Sequence, residues 1–105
     1  NFIIPSDNGK VWAEVIGIIN MCNCYKLTEV FTTEANGYIY ADDGNTQIEE
    51  DKYGKPLTVA EIDDVIKCLK AEVKEDGYWR AKVAIDFLKS IKKENPNCKV
   101  YHFGY

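Results

Sequence analysis

The chain has 105 residues, of which 46% are hydrophobic and 29% are charged, and its net charge at pH 7 is −4. These values are ordinary for a globular protein, so we expect one domain over residues 1–105 and exclude intrinsic disorder. No apolar run approaches the roughly 18 residues that a membrane span needs, which argues against a membrane partner. The mild acidity argues against a nucleic-acid partner, because binding to phosphates relies on clustered Lys and Arg.

The N-terminal half of the chain predicts one helix among short strands. An apolar strand ends at Pro5, and residues 8–22 then repeat apolar side chains at helical spacing, which predicts the first helix. Asn36-Gly37 is a strong signal for a hairpin turn between two strands. The strands expected in this half span residues 2–4, 25–34 and 38–41, with a turn over 42–45 and residues 46–49 as an optional further edge strand.

The C-terminal half predicts two helices and a closing strand. Thr58 and Glu61 have the spacing of a capping box, and a single apolar stripe follows, so we expect a second helix over residues 59–75. A third helix begins just after Gly77 and ends near residue 94. Residues 98–103 are apolar and aromatic and predict the last strand.

The predicted order is strand, helix, strand, strand, helix, helix, strand. It resembles the βαββαβ ferredoxin-like arrangement with one extra helix. We therefore expect an α+β fold, a two-layer sandwich of an antiparallel or mixed sheet with three helices. A fold of this class does not by itself identify a function.

The single arginine, Arg80, is the most informative residue of the sequence. It projects into the apolar face of the third helix at its N-terminus, where the helix dipole disfavours a cation. Three environments fit it: an ion pair with a carboxylate of residues 42–51, a stem packed on the protein with its head in water, or an anionic ligand. Tyr78 and Trp79 adjoin it and can stack on a ring, so these three residues form the candidate ligand-binding site. Trp, Tyr and Arg are also the usual anchors of protein interfaces.

Carboxylates are concentrated in residues 42–51, and this segment has two interpretations. Glu50 and Lys52 have the E-x-K spacing of a metal-dependent nuclease signature, with Asp43 as the candidate first acid. The separation is short for that class, and the sequence lacks the basic surface that a nuclease needs. The other interpretation is an acidic surface loop that meets a basic partner.

Four cysteines are too few for a disulfide-dependent scaffold, so we expect reduced thiols and a cytoplasmic protein. Cys22, Cys24, Cys98 and His102 have the composition of a zinc site. However, Cys98 and His102 would lie about 13 Å apart along a strand, too far for ligands of one ion. We therefore assign no metal ligands.

The remaining candidate residues concern an interface. Cys68 falls on the polar face of the second helix, although cysteine prefers burial, so another element or a partner subunit is expected to cover it. The aromatic C-terminus offers a subunit contact by edge-strand pairing. The candidate interface residues of a homo-oligomer are thus Cys68, Tyr101, Phe103 and Tyr105.

These features together predict a small, acidic, non-catalytic binding or regulatory protein that uses no cofactor. Its partner is either a protein that it inhibits or an anionic small molecule, such as a nucleotide, held near Arg80. The alternative function is a metal-dependent enzyme that cleaves phosphodiesters with the acidic hairpin of residues 42–51.

Overall fold

The computed structural model describes residues 2–6, 9–15, 27, 29–41, 43–76 and 79–104. This part of the chain has an α+β fold with two sheets and two helices. The elements, in chain order, are β1 (Phe2–Pro5), β2 (Val11–Val15), β3 (Thr33–Glu34), β4 (Ile39–Tyr40), β5 (Gln47–Ile48), β6 (Thr58–Glu61), α1 (Ile62–Asp76), α2 (Trp79–Glu94) and β7 (Lys99–His102).

The main sheet has five strands in the order β2-β1-β7-β6-β3, and each neighbouring pair is antiparallel. The closing strand β7 is therefore central. Tyr101 pairs with Ile3 of β1 on one side and with Val59 of β6 on the other. The second sheet consists of β4 and β5 alone, also antiparallel.

Side chains of the central strands alternate between two hydrophobic clusters, as the period of a strand requires. Phe2 and Ile4 of β1 and Val100 of β7 belong to the larger cluster, which contains the buried residues of both helices. Ile3 points to the other face of the sheet and joins the smaller cluster, which includes residues of β4 and β5. The two helices thus cover one face of the sheet, and the β4–β5 hairpin packs on the other.

The helices pack against each other and on the sheet through apolar stripes at helical spacing. The buried residues of α1 include Ile62, Val65, Ile66 and Leu69, and those of α2 are Ala81, Ala84, Ile85, Leu88 and Ile91. Asp63 in the first turn of α1 pairs with Lys92 in the last turn of α2. The stripes of both helices were correctly predicted from the sequence.

The predicted start of the second helix is wrong. Thr58 and Glu61 are not a capping box but the two ends of β6, where they pair with His102 and Lys99 of β7. The helix begins at Ile62, immediately after the strand. Pairing with a central strand satisfies the backbone of residues 58–61 through the sheet, and this tertiary contact outweighs the local capping signal.

The first predicted helix, over residues 8–22, is also wrong where the structure describes it. Residues 11–15 form β2, which pairs with β1. Residues 16–22 lie outside the described residues. The described part of the chain therefore has two helices rather than three. Since β1 pairs directly with β2, the sheet does not have the ferredoxin-like order.

The hairpin predicted at Asn36-Gly37 is a connection between sheets. Of the predicted strand over 25–34, the described part forms a strand only at Thr33–Glu34, and this strand pairs with β6. The next strand, β4, pairs instead with β5. The hairpin turn of this region is the predicted 42–45 turn, which joins β4 to β5.

Candidate functional site

The first turn of α2 presents two large side chains to solvent. Trp79 is 65% exposed, and Cζ of Arg80 lies 5.4 Å from the centroid of its ring. This distance is within the range of a cation–π contact. Val83, one turn further along, is 44% exposed, and Phe87 is half-buried against the core. We call these four residues the α2 ridge.

Arg80 is exposed because the apolar stripe of α2 is wider than the face that the core covers. Val83, its neighbour on the helix, is exposed with it. Among the described residues, the ion pairs join Lys92 to Asp63 and Lys99 to Glu61, and no carboxylate pairs with Arg80. The Arg80 guanidinium lies instead over the Trp79 ring on the exposed surface of α2. Tyr78 lies outside the described residues.

Charge is distributed unevenly over the chain. Residues 79–94 of α2 carry five cationic and two acidic side chains, a net charge of +3 in a chain of net charge −4. Residues 29–61 carry eight acidic side chains and two lysines, a net charge of −6. The basic helix lies on one face of the sheet, and the hairpin within the acidic segment lies on the other.

The carboxylate of Asp43 organises the turn between β4 and β5. It accepts hydrogen bonds from the backbone N–H of Asn45 at 2.8 Å, the backbone N–H of Thr46 at 2.9 Å and the Thr46 hydroxyl at 2.6 Å. The Thr46 hydroxyl, followed by the two N–H groups, lowers the pKa of Asp43 from 3.8 to about 2. Asp43, the candidate first acid of the nuclease pattern, therefore has a structural role in the turn.

Asp51 has a similar structural role in the following loop. Its carboxylate accepts hydrogen bonds from the backbone N–H of Tyr53 at 2.8 Å and of Lys55 at 3.0 Å. Within the described part of the chain, no three Asp, Glu, Cys or His side chains come together as a group able to hold a metal ion. Asp42 lies outside that part.

An open groove of about 640 Å³ lies beside β5 on the hairpin side of the sheet. Half-buried Ile48 and Phe103 supply its apolar surface, and exposed Glu49 and Glu50 supply negative charge. We call it the acidic groove. Its lining residues are Gln47, Ile48, Glu49, Glu50, Asp51 and Phe103.

Cys68 is half-buried and packs against the larger core cluster, so an element of the same chain already covers part of it. It lines a second groove of about 460 Å³ together with Val30, Ala71 and three charged residues. The helix wheel placed Cys68 on a polar face of the helix. In the structure, Val30 lines the same groove as Cys68 and makes this face partly apolar. Nothing in this arrangement tests the predicted subunit contact at Cys68.

Two of the four residues considered for zinc lie in the described part of the chain. Cys98 is buried in the core, and His102 is half-buried with its ring centroid 5.6 Å from that of Phe31. Burial lowers the pKa of the His102 imidazole below its usual 6.5. Cys22 and Cys24 lie outside the described residues.

The predicted edge-strand contact of the C-terminus is excluded for Tyr101, because β7 is paired on both sides at this residue. Tyr101 packs in the smaller cluster instead. Phe103, beyond the strand, lines the acidic groove and is accessible there. Tyr105 lies outside the described residues.

The predicted site residues omit three exposed aromatic residues, Trp12, Tyr38 and Tyr53. Ile4 pairs with Ala13 and Pro5 pairs with Val11, which leaves Trp12 as the extra residue of a bulge in the edge strand β2. It is 46% exposed. Because this segment was predicted to be helical, the exposed bulge at Trp12 could not be identified from the sequence. It follows only from the register of the β1–β2 pairing.

No protein-family model, no curated protein and no solved structure matches this chain. Neither of the two described helices has the length and apolarity to cross a bilayer. The site must therefore be interpreted from its own geometry.

Proposed function

We propose that this chain is a non-catalytic binding protein that regulates a protein partner and contacts this partner through the α2 ridge. One observation carries the proposal: Trp79 is 65% exposed in the first turn of α2 with Arg80 stacked on its ring. Trp and Arg are the residues in which interface binding energy is most often concentrated.

The shape of the ridge favours a protein over a small molecule. Trp79 is 65% exposed in the first turn of α2, and Val83 beside it is 44% exposed. Small ligands are usually enclosed by concave pockets, whereas a projecting side chain enters a pocket on a partner. The positive charge of α2 favours a partner that is acidic around that pocket.

The experiment compares proteins retained from extracts of the source cells by the immobilised full chain and three variants. Trp79→Ala and Arg80→Glu alter the α2 ridge. Tyr53→Ala is the matched control, because Tyr53 is 68% exposed and lies outside the ridge. We expect one protein to be retained equally by the wild type and Tyr53→Ala and lost from both ridge variants. If every retained protein binds all four baits equally, the proposed surface is wrong.

Two further measurements separate this proposal from the alternatives. A thermal-shift screen of nucleotides and phosphates tests the small-ligand function, for which a stabilisation lost in Arg80→Ala is the positive result. Added Mg²⁺ or Mn²⁺ tests the enzyme. The proposal expects an unchanged melting temperature, and a large shift abolished by Asp43→Asn would support metal-dependent chemistry instead.

A further inference from the structure

Two surfaces of opposite charge lie on opposite faces of the main sheet. The α2 ridge carries one charge, the Arg80 guanidinium, on a helix of net charge +3, and the acidic groove carries the carboxylates of Glu49, Glu50 and Asp51. The helices and the hairpin pack on different faces of the sheet. The ridge therefore cannot reach the groove of its own chain, although it can reach the groove of another copy.

We infer that the α2 ridge of one copy docks into the acidic groove of a second copy, so that the chain associates head to tail. This inference rests on the proposed function, because it uses the same ridge and gives it a second binding partner, another copy of the chain. Because the ridge and the groove are different patches, each docked copy keeps one of the two free, which is the property of a heterologous interface.

The groove has the chemistry to receive the ridge. Ile48 and Phe103 offer apolar contact to the Trp79 indole. Glu49 and Glu50 are exposed beside them, and a guanidinium pairs with a carboxylate through two parallel hydrogen bonds.

Head-to-tail docking would also regulate the proposed function. A ridge held in the groove of another copy is not available to a protein partner. Partner binding should then weaken as the concentration of the chain rises.

Sedimentation velocity of the full chain over a concentration series tests the inference. We expect the weight-average mass to rise above that of the monomer at an ionic strength of about 0.02 M and to return to it at about 0.5 M, since screening acts on exposed charges. Arg80→Glu should raise the dissociation constant at least about tenfold. Lys70→Glu, an equal charge reversal at an exposed position of α1, should leave it unchanged.

A mixing experiment identifies the two surfaces. Trp79→Ala impairs the ridge and leaves the groove intact, and Glu50→Lys does the reverse. Neither variant should associate alone, whereas an equimolar mixture should form a 1:1 dimer and stop there. Circular dichroism verifies that both variants are folded.

Three outcomes overturn the inference: a monomer at every concentration in low salt, association that Glu50→Lys does not weaken, or a mixture that remains monomeric. Failure here is distinguishable from failure of the proposed function. A wild-type chain that stays monomeric, yet retains a partner that Trp79→Ala loses, refutes the self-association alone.

Discussion

Replacing Trp79 with alanine should leave the stability of the fold nearly unchanged, and this prediction distinguishes a binding residue from a structural one. Truncation of a buried Phe or Trp costs about 3–5 kcal/mol. Trp79 is 65% exposed, so roughly a third of that cost applies, or about 1–1.5 kcal/mol. Alanine is the better helix former by up to about 0.7 kcal/mol, which offsets part of the loss. The expected net change is below about 1 kcal/mol.

Leu88→Ala on the same helix is the comparison, because Leu88 is fully buried. Its truncation should cost about 2–5 kcal/mol. For a domain of this size, each kcal/mol corresponds to about 4–8 °C in melting temperature, so the two variants should differ clearly. Urea denaturation followed by circular dichroism gives the free energies of unfolding. A loss of about 2 kcal/mol or more in Trp79→Ala, of the size seen for core truncations, would show that the indole is a structural anchor and refute the reasoning.

The remaining predictions concern a turn, a histidine and an ion pair. Gly44 has a φ of 75°, and a Cβ there would lie 2.8 Å from a lysine side chain, whereas Gly37, with a φ of 92°, faces open space. Both alanine variants should lose about 1–2 kcal/mol from backbone strain, by similar amounts because the contact at Gly44 is with the flexible end of the lysine, and a clearly larger loss at Gly44 in urea denaturation would contradict this. Burial lowers the pKa of His102, so its contribution to stability is present above pH 6.5 and is lost as the pH falls through the lower folded pKa. The melting temperature should therefore fall with pH in this range, and less steeply in His102→Gln than in the wild type. An identical dependence of the melting temperature on pH would contradict this. A double-mutant cycle on Lys92 and Asp63, whose side chains are 41% and 68% exposed, should give a coupling energy below about 1 kcal/mol that salt abolishes, and a larger, salt-resistant coupling would be incompatible with an exposed pair.

The elements that could be predicted are those whose local pattern agrees with their tertiary environment. Five apolar residues of α2 recur at a helical period and are buried in the fold: Ala81, Ala84, Ile85, Leu88 and Ile91. The strand β1 was recognised from a short apolar run before Pro5 and is buried at Phe2, Ile3 and Ile4. In both elements, the local apolar pattern is compatible with only one type of secondary structure.

Residues 11–15 show why the rest could not be predicted. Their apolar residues fit a helical period, yet the same segment fits a strand in which Ala13 packs on the larger cluster while Trp12 and Glu14 are exposed. Pairing with β1 selects the strand over the helix, and this pairing cannot be read from the local sequence. The capping box predicted from Thr58 and Glu61 was wrong for the same reason, because pairing with a neighbouring strand outweighs a local capping signal.

The candidate site was predicted in part. Arg80 was selected for its unusual position on the helix wheel and Trp79 as its neighbour in the sequence, and the structure brings the two into contact on an exposed ridge. The expected internal partner, the 42–51 segment, lies on the other face of the sheet, which no local pattern reveals. The excess positive charge of α2 could have been counted from the sequence, since it requires only the bounds of the helix.

The most direct test of the central claim is the affinity of the purified partner for the wild type, Trp79→Ala and Tyr53→Ala, measured by calorimetry at one salt concentration. Truncation of an interface anchor costs about 2 kcal/mol or more, which is roughly a 30-fold rise in Kd. The account predicts this rise for Trp79→Ala and an unchanged Kd for Tyr53→Ala. Equal affinities for all three proteins would contradict it.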